Sequence, residues 1–294
     1  MAPPTFTVLH AAAFAPRAGE LQRYAMTTQD LLRNGRLDDA LAALTQEVRA
    51  NPADPKSRVF LFQLLAVLGQ WERANTQLAV CGELDAGALA MVQSYREALR
   101  CEALRAEVFA GRRTPVIFGE PEAWIALMLE ALKRDADGAF AEAAHIRAEA
   151  LEMAPASSGT LDGEPFEWIA DADARLGPLV EMIVNGHYYW VPFHRLTRIA
   201  FDAPADLRDT VWMPAQVTFA SGGESVAFVP TRYDGTLAAA NDALTLARRT
   251  EWHEPHEGVF VGVGQRVFAT DMGEHSLMDV REILLDAAPA ALLQ

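Results

Sequence analysis

The stretch NGRLDDALAAL, residues 34–44, realigns with LGQWERANTQL, residues 68–78, when the chain is shifted by one period of 34 residues. Gly35 then falls on Gly69, Leu37 on Trp71, Ala40 on Ala74 and Leu44 on Leu78. Each match has a physical reason: a glycine ends one helix, a bulky residue opens the next, and an alanine lets two helices approach closely. Leu37, Leu41, Leu44 and Val48 recur at helical spacing, as do Leu61, Leu65 and Leu68, so both sets read as core-facing stripes.

This spacing resembles the tetratricopeptide repeat, whose second helix carries Gly-x-bulky-x-x-Ala and closes on a proline about twelve residues after the alanine. Pro52 stands there for Ala40, whereas the matching position for Ala74 holds Ala86, so the second copy is already degenerate. A further helix is predicted over 88–110, with Val92, Tyr95, Leu99 and Ala103 on one face, and a helical pair over 122–133 and 138–153. These later helices do not match the 34-residue pattern by identity. The expectation is an N-terminal arm over 1–20 and a tetratricopeptide-like helical domain over 21–154.

Composition changes near Ala154, where APASSGTLDGEP supplies proline, serine and glycine for a linker over 155–165. Strand signals follow. Residues 179–184 and 188–191 flank Asn185-Gly186, a strong hairpin turn, and a second hairpin is read across Ser221-Gly222-Gly223 between 216–219 and 225–229. Two more strands are read at 258–263 and 266–270. The expected fold class is therefore α+β: a helical repeat domain followed by a small, mostly antiparallel β-rich domain over 166–294.

Half of the 294 residues are apolar and the formal charge is −15, which suits a soluble globular chain and opposes nucleic-acid binding, because phosphate neutralisation needs a basic face. No apolar run is long enough to cross a bilayer, and the N-terminal run lacks a leading basic residue and is broken by prolines. The cytoplasm is the expected compartment. Cys81 and Cys101 sit in helical sequence and read as small core residues in a reducing environment.

Chemistry is harder to find. Asp171 and Asp173 in DADARLG open like a calcium loop, but Arg175 and Leu176 occupy positions that need an oxygen donor and a glycine, so capping or a salt bridge is the better reading. His253 and His256 in WHEPHEG have Glu254 and Glu257 beside them, yet Pro255 makes the segment a loop and no third ligand is evident. Gly262-Val263-Gly264 precedes no helix and reads as a turn or bulge. No nucleophile elbow or phosphate loop occurs, and nothing asks for a cofactor or metal. The block HYYWVPF, 187–193, is different: in a strand Tyr188 and Trp190 share one face while Tyr189 and Val191 share the other. Tyr188, Tyr189, Trp190 and Phe193, with Arg195, Arg208 and Trp212, are the candidate partner-binding residues, since Tyr, Trp and Arg dominate binding hot spots. The same aromatics also suit core packing.

FEWIADADARLGP, VNGHYYWVPF, DLRDTVWMPAQ, GVGQR and LMDVREIL resemble the ImpE/SciE/TagJ family, accessory proteins of bacterial type VI secretion systems. The likeness runs from about Leu31 to Leu285 and is densest between Phe166 and Pro214. It implies a non-enzymatic cytoplasmic adaptor that binds the small subunit of the contractile sheath and is associated with the ClpV disassembly ATPase. The residues themselves leave two other readings, a general helical scaffold or chaperone and a metal-dependent enzyme using His253 and His256. A groove between stacked helix pairs, receiving an amphipathic helix, fits the adaptor reading.

Overall fold

The computed structural model describes residues 26–120 and 122–286. The arm expected over 1–20 lies outside these residues. The helical part runs α1 (Thr28–Arg33), α2 (Leu37–Ala50), α3 (Pro55–Val67), α4 (Trp71–Leu84), α5 (Leu89–Phe109), α6 (Ala123–Ala136) and α7 (Phe140–Met153). Between α1 and α2, Gly35 takes φ +66° and donates to the Leu32 carbonyl, while Arg36 donates to Leu31. Gly69, also at φ +66°, repeats the pattern with Ala66, and Gln70 with Leu65. A left-handed residue that closes the last carbonyls is the standard helix stop, and glycine adopts it without steric cost.

The α6–α7 turn uses the same device at Gly138, φ +78°, and Ala143 is as fully buried as Ala40 and Ala74. Gly138, Phe140, Ala143 and Pro155 thus form a third copy of the signature. It lies 69 residues after Gly69, one more than two periods of 34, so comparison at a fixed shift passes over it. The 21-residue helix α5 has lengthened the array between the copies.

The expected α+β architecture is present. One nine-stranded sheet has the order β1-β6-β5-β9-β8-β7-β14-β2-β3. Its strands are β1 (Val116–Ile117), β2 (Gly159–Leu161), β3 (Glu164–Phe166), β5 (Leu179–Val184), β6 (His187–Pro192), β7 (Leu196–Phe201), β8 (Trp212–Phe219), β9 (Glu224–Pro230) and β14 (Glu282–Leu285). Only the β1–β6 pair is parallel, and β1 comes from the helical part. The segment read as a linker contributes β2 and opens β3. A smaller sheet joins β4 (Ile169–Asp171), β12 (Val267–Thr270) and β13 (Gly273–Ser276), and β10 (Thr250–His256) pairs with β11 (Val259–Gly264). The Asn185-Gly186 and Ser221–Gly223 turns close the β5–β6 and β8–β9 hairpins as read.

Two readings change. WHEPHEG is not a loop: β10 runs through Pro255 to His256, accommodating the proline with a register shift between His253 and His256. Gly262-Val263-Gly264 is the end of strand β11 rather than a turn. Gly262 is required there because a Cβ would stand 2.3 Å from the Tyr233 ring.

The large sheet separates two apolar cores. Val180, Met182, Val191 and Phe193 fill one, while Leu179, Ile183, Tyr188, Trp190 and Trp212 face the helices and join the other. The period-two alternation of β5 and β6 thus serves both.

Gly262→Ala is expected to lower unfolding free energy by about 1–3 kcal/mol through overpacking. Gly223→Ala, where a Cβ meets nothing nearer than 3.9 Å, should stay within about 0.5 kcal/mol of the parent. Urea denaturation of both variants checks this.

Candidate functional site

Helix α5 carries Glu102 and Arg105 one turn apart, and β5 carries Glu181 among apolar neighbours, so the packed faces bring three charges into the core. Arg105 Nε donates to Glu181 Oε1 at 2.6 Å and Nη2 donates to Oε2 at 3.0 Å. Arg266, fully buried, donates from Nη2 to the same carboxylate and from Nη1 to Asp171. Tyr188 donates its hydroxyl to Glu181 and accepts from Trp190 Nε1 at 2.7 Å. Trp212 Nε1 donates to Glu102 at 2.8 Å, and Tyr233 donates to Asp171 at 3.0 Å. Each buried charge is matched by partners of opposite sign or by strong hydrogen bonds, which is the condition for carrying it into a core.

Burial alone would push the Glu181 carboxyl upward, but the guanidiniums of Arg105 and Arg266 outweigh it and bring it down to about 2. For Arg232 the balance is reversed: burial outweighs the attraction of Glu102 and lowers it to about 10, so it stays charged at neutral pH. Arg232 Nη1 donates to the carbonyls of Val67 at the end of α3 and Thr245.

The candidate partner-binding residues are mostly inside this seam. Tyr188, Trp190, Phe193 and Trp212 are buried, as the core-packing alternative allows, and their area is spent on the chain's own helices and second core. Tyr189 is half-buried against Phe118. Arg195 donates to the Phe118 carbonyl and to Glu122, tying the α5–α6 connection to the sheet. Arg208 pairs with Asp206 and lies 4.7 Å over the Tyr95 ring. Asp171 and Asp173 are held by Arg266 and Arg175, as the salt-bridge reading expected. His253 is exposed on β10, and among the described residues no group of three His, Cys, Asp or Glu side chains is placed to hold a metal.

One apolar groove of about 750 Å³ stays open beside the seam. Leu32 and Arg33 of α1, Lys56, Val59 and Phe60 of α3, and Leu207 of the sheet half line it. Sequence reading missed Val59 and Phe60 because it followed a single stripe on α3. The signal was the run VFLFQLLAV, 59–67, apolar all round and so contacted on more than one side. The faces of α3 and α5 that a free helical array would offer to a partner hold the chain's own sheet instead, through Phe62, Tyr95, Trp212 and Phe228.

A helical-hairpin array joined to a mostly antiparallel sheet by a buried charged seam defines a helical-repeat protein whose helices and sheet share one of its two apolar cores. A model of the family described as ImpE protein matches residues 163–284. The chain is 54% identical over 259 residues to the type VI secretion system accessory component TagJ of Pseudomonas aeruginosa, covering 88% of this chain and 91% of the relative. The chain belongs to this ImpE family. The crystal structure of a Vibrio parahaemolyticus protein superposes with a TM-score of 0.81 over 90% of this chain and 99% of that one, at 22% identity, which shows a shared fold. Among the described residues no helix is long and apolar enough to cross a membrane.

Arg105→Met leaves Glu181 short of one cation and should cost about 3–5 kcal/mol. Glu282→Gln, in a half-exposed pair with Arg198, should cost under about 1 kcal/mol. The Glu181 carboxyl lies below its ordinary value of 4.5 in the folded chain, so its stabilisation is complete above that pH and is lost as pH falls toward about 2. Glu181→Gln should flatten that acid limb in a series of urea titrations.

Proposed function

We propose that this chain is a non-enzymatic, cytoplasmic accessory component of a type VI secretion system that binds the small sheath subunit. The relationship to TagJ over nearly its whole length carries the reading. The buried charges support it, because Glu181, Asp171 and Arg266 are committed to one another and to the seam rather than aimed at a substrate. In this reading the groove between α1 and α3 takes an amphipathic helix of the sheath subunit, and ClpV meets the resulting complex.

The groove suits such a helix. Helix α3 has 13 residues and so offers a length of about 20 Å at 1.5 Å per residue. Leu32, Val59, Phe60 and Leu207 give the groove an apolar lining, and Arg33, Lys56, Asp85 and Asp206 add charges of both signs. A helix with an apolar stripe flanked by charge is recognised in this way. The overall charge of −15 steers a basic segment toward the chain, so association should weaken as salt rises.

Titration of the purified small sheath subunit into the full chain should give saturable binding that weakens between low and high salt. Val59→Asp, at a half-buried groove position, should raise Kd at least ~10-fold, equivalent to about 1.4 kcal/mol, without altering the far-ultraviolet circular dichroism. An unchanged Kd would move the docking site off this groove. No association at any ionic strength would overturn the sheath reading itself.

A further inference from the structure

A second cavity, of about 380 Å³, opens where α5 meets the loop 232–238. Its lining includes the charged Glu102, Arg105, Arg232 and Asp234 and the apolar Trp71, Phe109 and Leu237. The volume falls in the range of small-molecule sites, and an apolar cleft with a few converging polar groups is their usual form.

The charged groups keep hydrogen-bonding capacity that the seam does not use. Arg105 spends Nε and Nη2 on Glu181 and on the Arg232 carbonyl, whereas Nη1 has Glu102 Oε2 at 3.7 Å, beyond hydrogen-bond range. Arg232 donates only from Nη1 among the described residues, leaving Nε and Nη2 uncommitted. Glu102 accepts from Trp212 on Oε1, and the half-buried Asp234 side chain accepts no hydrogen bond among the described residues. These free atoms open to the cavity, so two guanidiniums and two carboxylates are available there to a ligand's polar groups.

Charge narrows the choice of ligand. A simple anion would meet the two arginines but also Glu102 and Asp234, and a simple cation would meet the converse. A ligand that carries both signs matches two guanidiniums and two carboxylates in one cavity. The indole of Trp71 and the Phe109 and Leu237 side chains ask for an apolar body.

We propose that this cavity binds a small zwitterion of amino-acid size, its carboxylate on Arg105 and Arg232, its ammonium on Asp234 and Glu102, and its apolar side chain against Trp71 and Leu237. The site is independent of the sheath-binding groove, because it lies on the α5 side of the seam and shares no lining residue with it. Leu237, exposed on the loop that lines the cavity, lies over Gly69 at the α3–α4 turn.

Isothermal titration calorimetry of the full chain with L-leucine, L-methionine and L-phenylalanine tests the proposal, each compared with its amide and with the acid lacking the amino group. At least one amino acid should saturate with Kd below about 1 mM, and its two singly charged analogues should bind at least ~10-fold more weakly. Asp234→Asn should weaken the amino acid by a similar factor while leaving the circular dichroism and the melting temperature of the free protein unchanged. Leu237→Ala, on the exposed loop, should also weaken it. The absence of saturable heat with all three amino acids at about 10 mM, equal binding of the three probe types, or full affinity in Asp234→Asn would overturn it.

Discussion

Glu181 accepts two guanidiniums, one from helix α5 and one from the segment entering β12, and the relation between the helical and sheet parts depends on that convergence. A buried ion cluster contributes little to stability compared with apolar residues of the same volume, yet removing one member is expensive because a desolvated charge is left unpaired. Its effect is therefore on position. Alternative packings that slide α5 along the sheet would separate Arg105 from Glu181 and strand both, whereas the leucines and aromatics around them tolerate small shifts. The register of the two halves is set by charge, and the surrounding apolar area supplies the free energy.

The same arrangement appears at the helix ends. Asp242 accepts from the Leu37 amide at the start of α2 at 3.0 Å, Arg248 donates to the Leu32 and Arg33 carbonyls at the end of α1, and Arg232 donates to Val67 at the end of α3. Terminal amides and carbonyls of helices need such partners, and here the sheet half supplies them. The helical array is capped by the domain it carries, and the inner faces of α3 and α5 are occupied by the sheet half. The two parts act as a scaffold and its own ligand.

Much of this was legible in the chain. Gly35 and Gly69 gave the helical hairpins, Asn185-Gly186 gave the β5–β6 turn, and the alternation of Tyr188 and Trp190 against Tyr189 and Val191 gave their faces correctly. What the sequence could not state is which face meets what. Trp190 and Trp212 read equally well as hot spots or as core, and only the position of α5 over the sheet decides for core. The helical pair over 122–153 was read, but its repeat signature was hidden by one residue of register, and Arg266 was invisible because its partners, Asp171 and Glu181, are 95 and 85 residues away. Long-range ion pairs leave no local period to detect. Val59 and Phe60 were masked for the opposite reason, since an all-apolar helix does not say which stripe faces an open groove.

Native-state hydrogen exchange on the full chain tests the coupling of the halves most directly. If the charged seam makes one cooperative unit, the slowest amides of α3 and α5 and those of β5, β6 and β8 should exchange with the same opening free energy and respond equally to low concentrations of denaturant. A helical array whose slowest amides open at distinctly lower free energy than the sheet's would contradict the account, because the seam would then be a contact between independent parts.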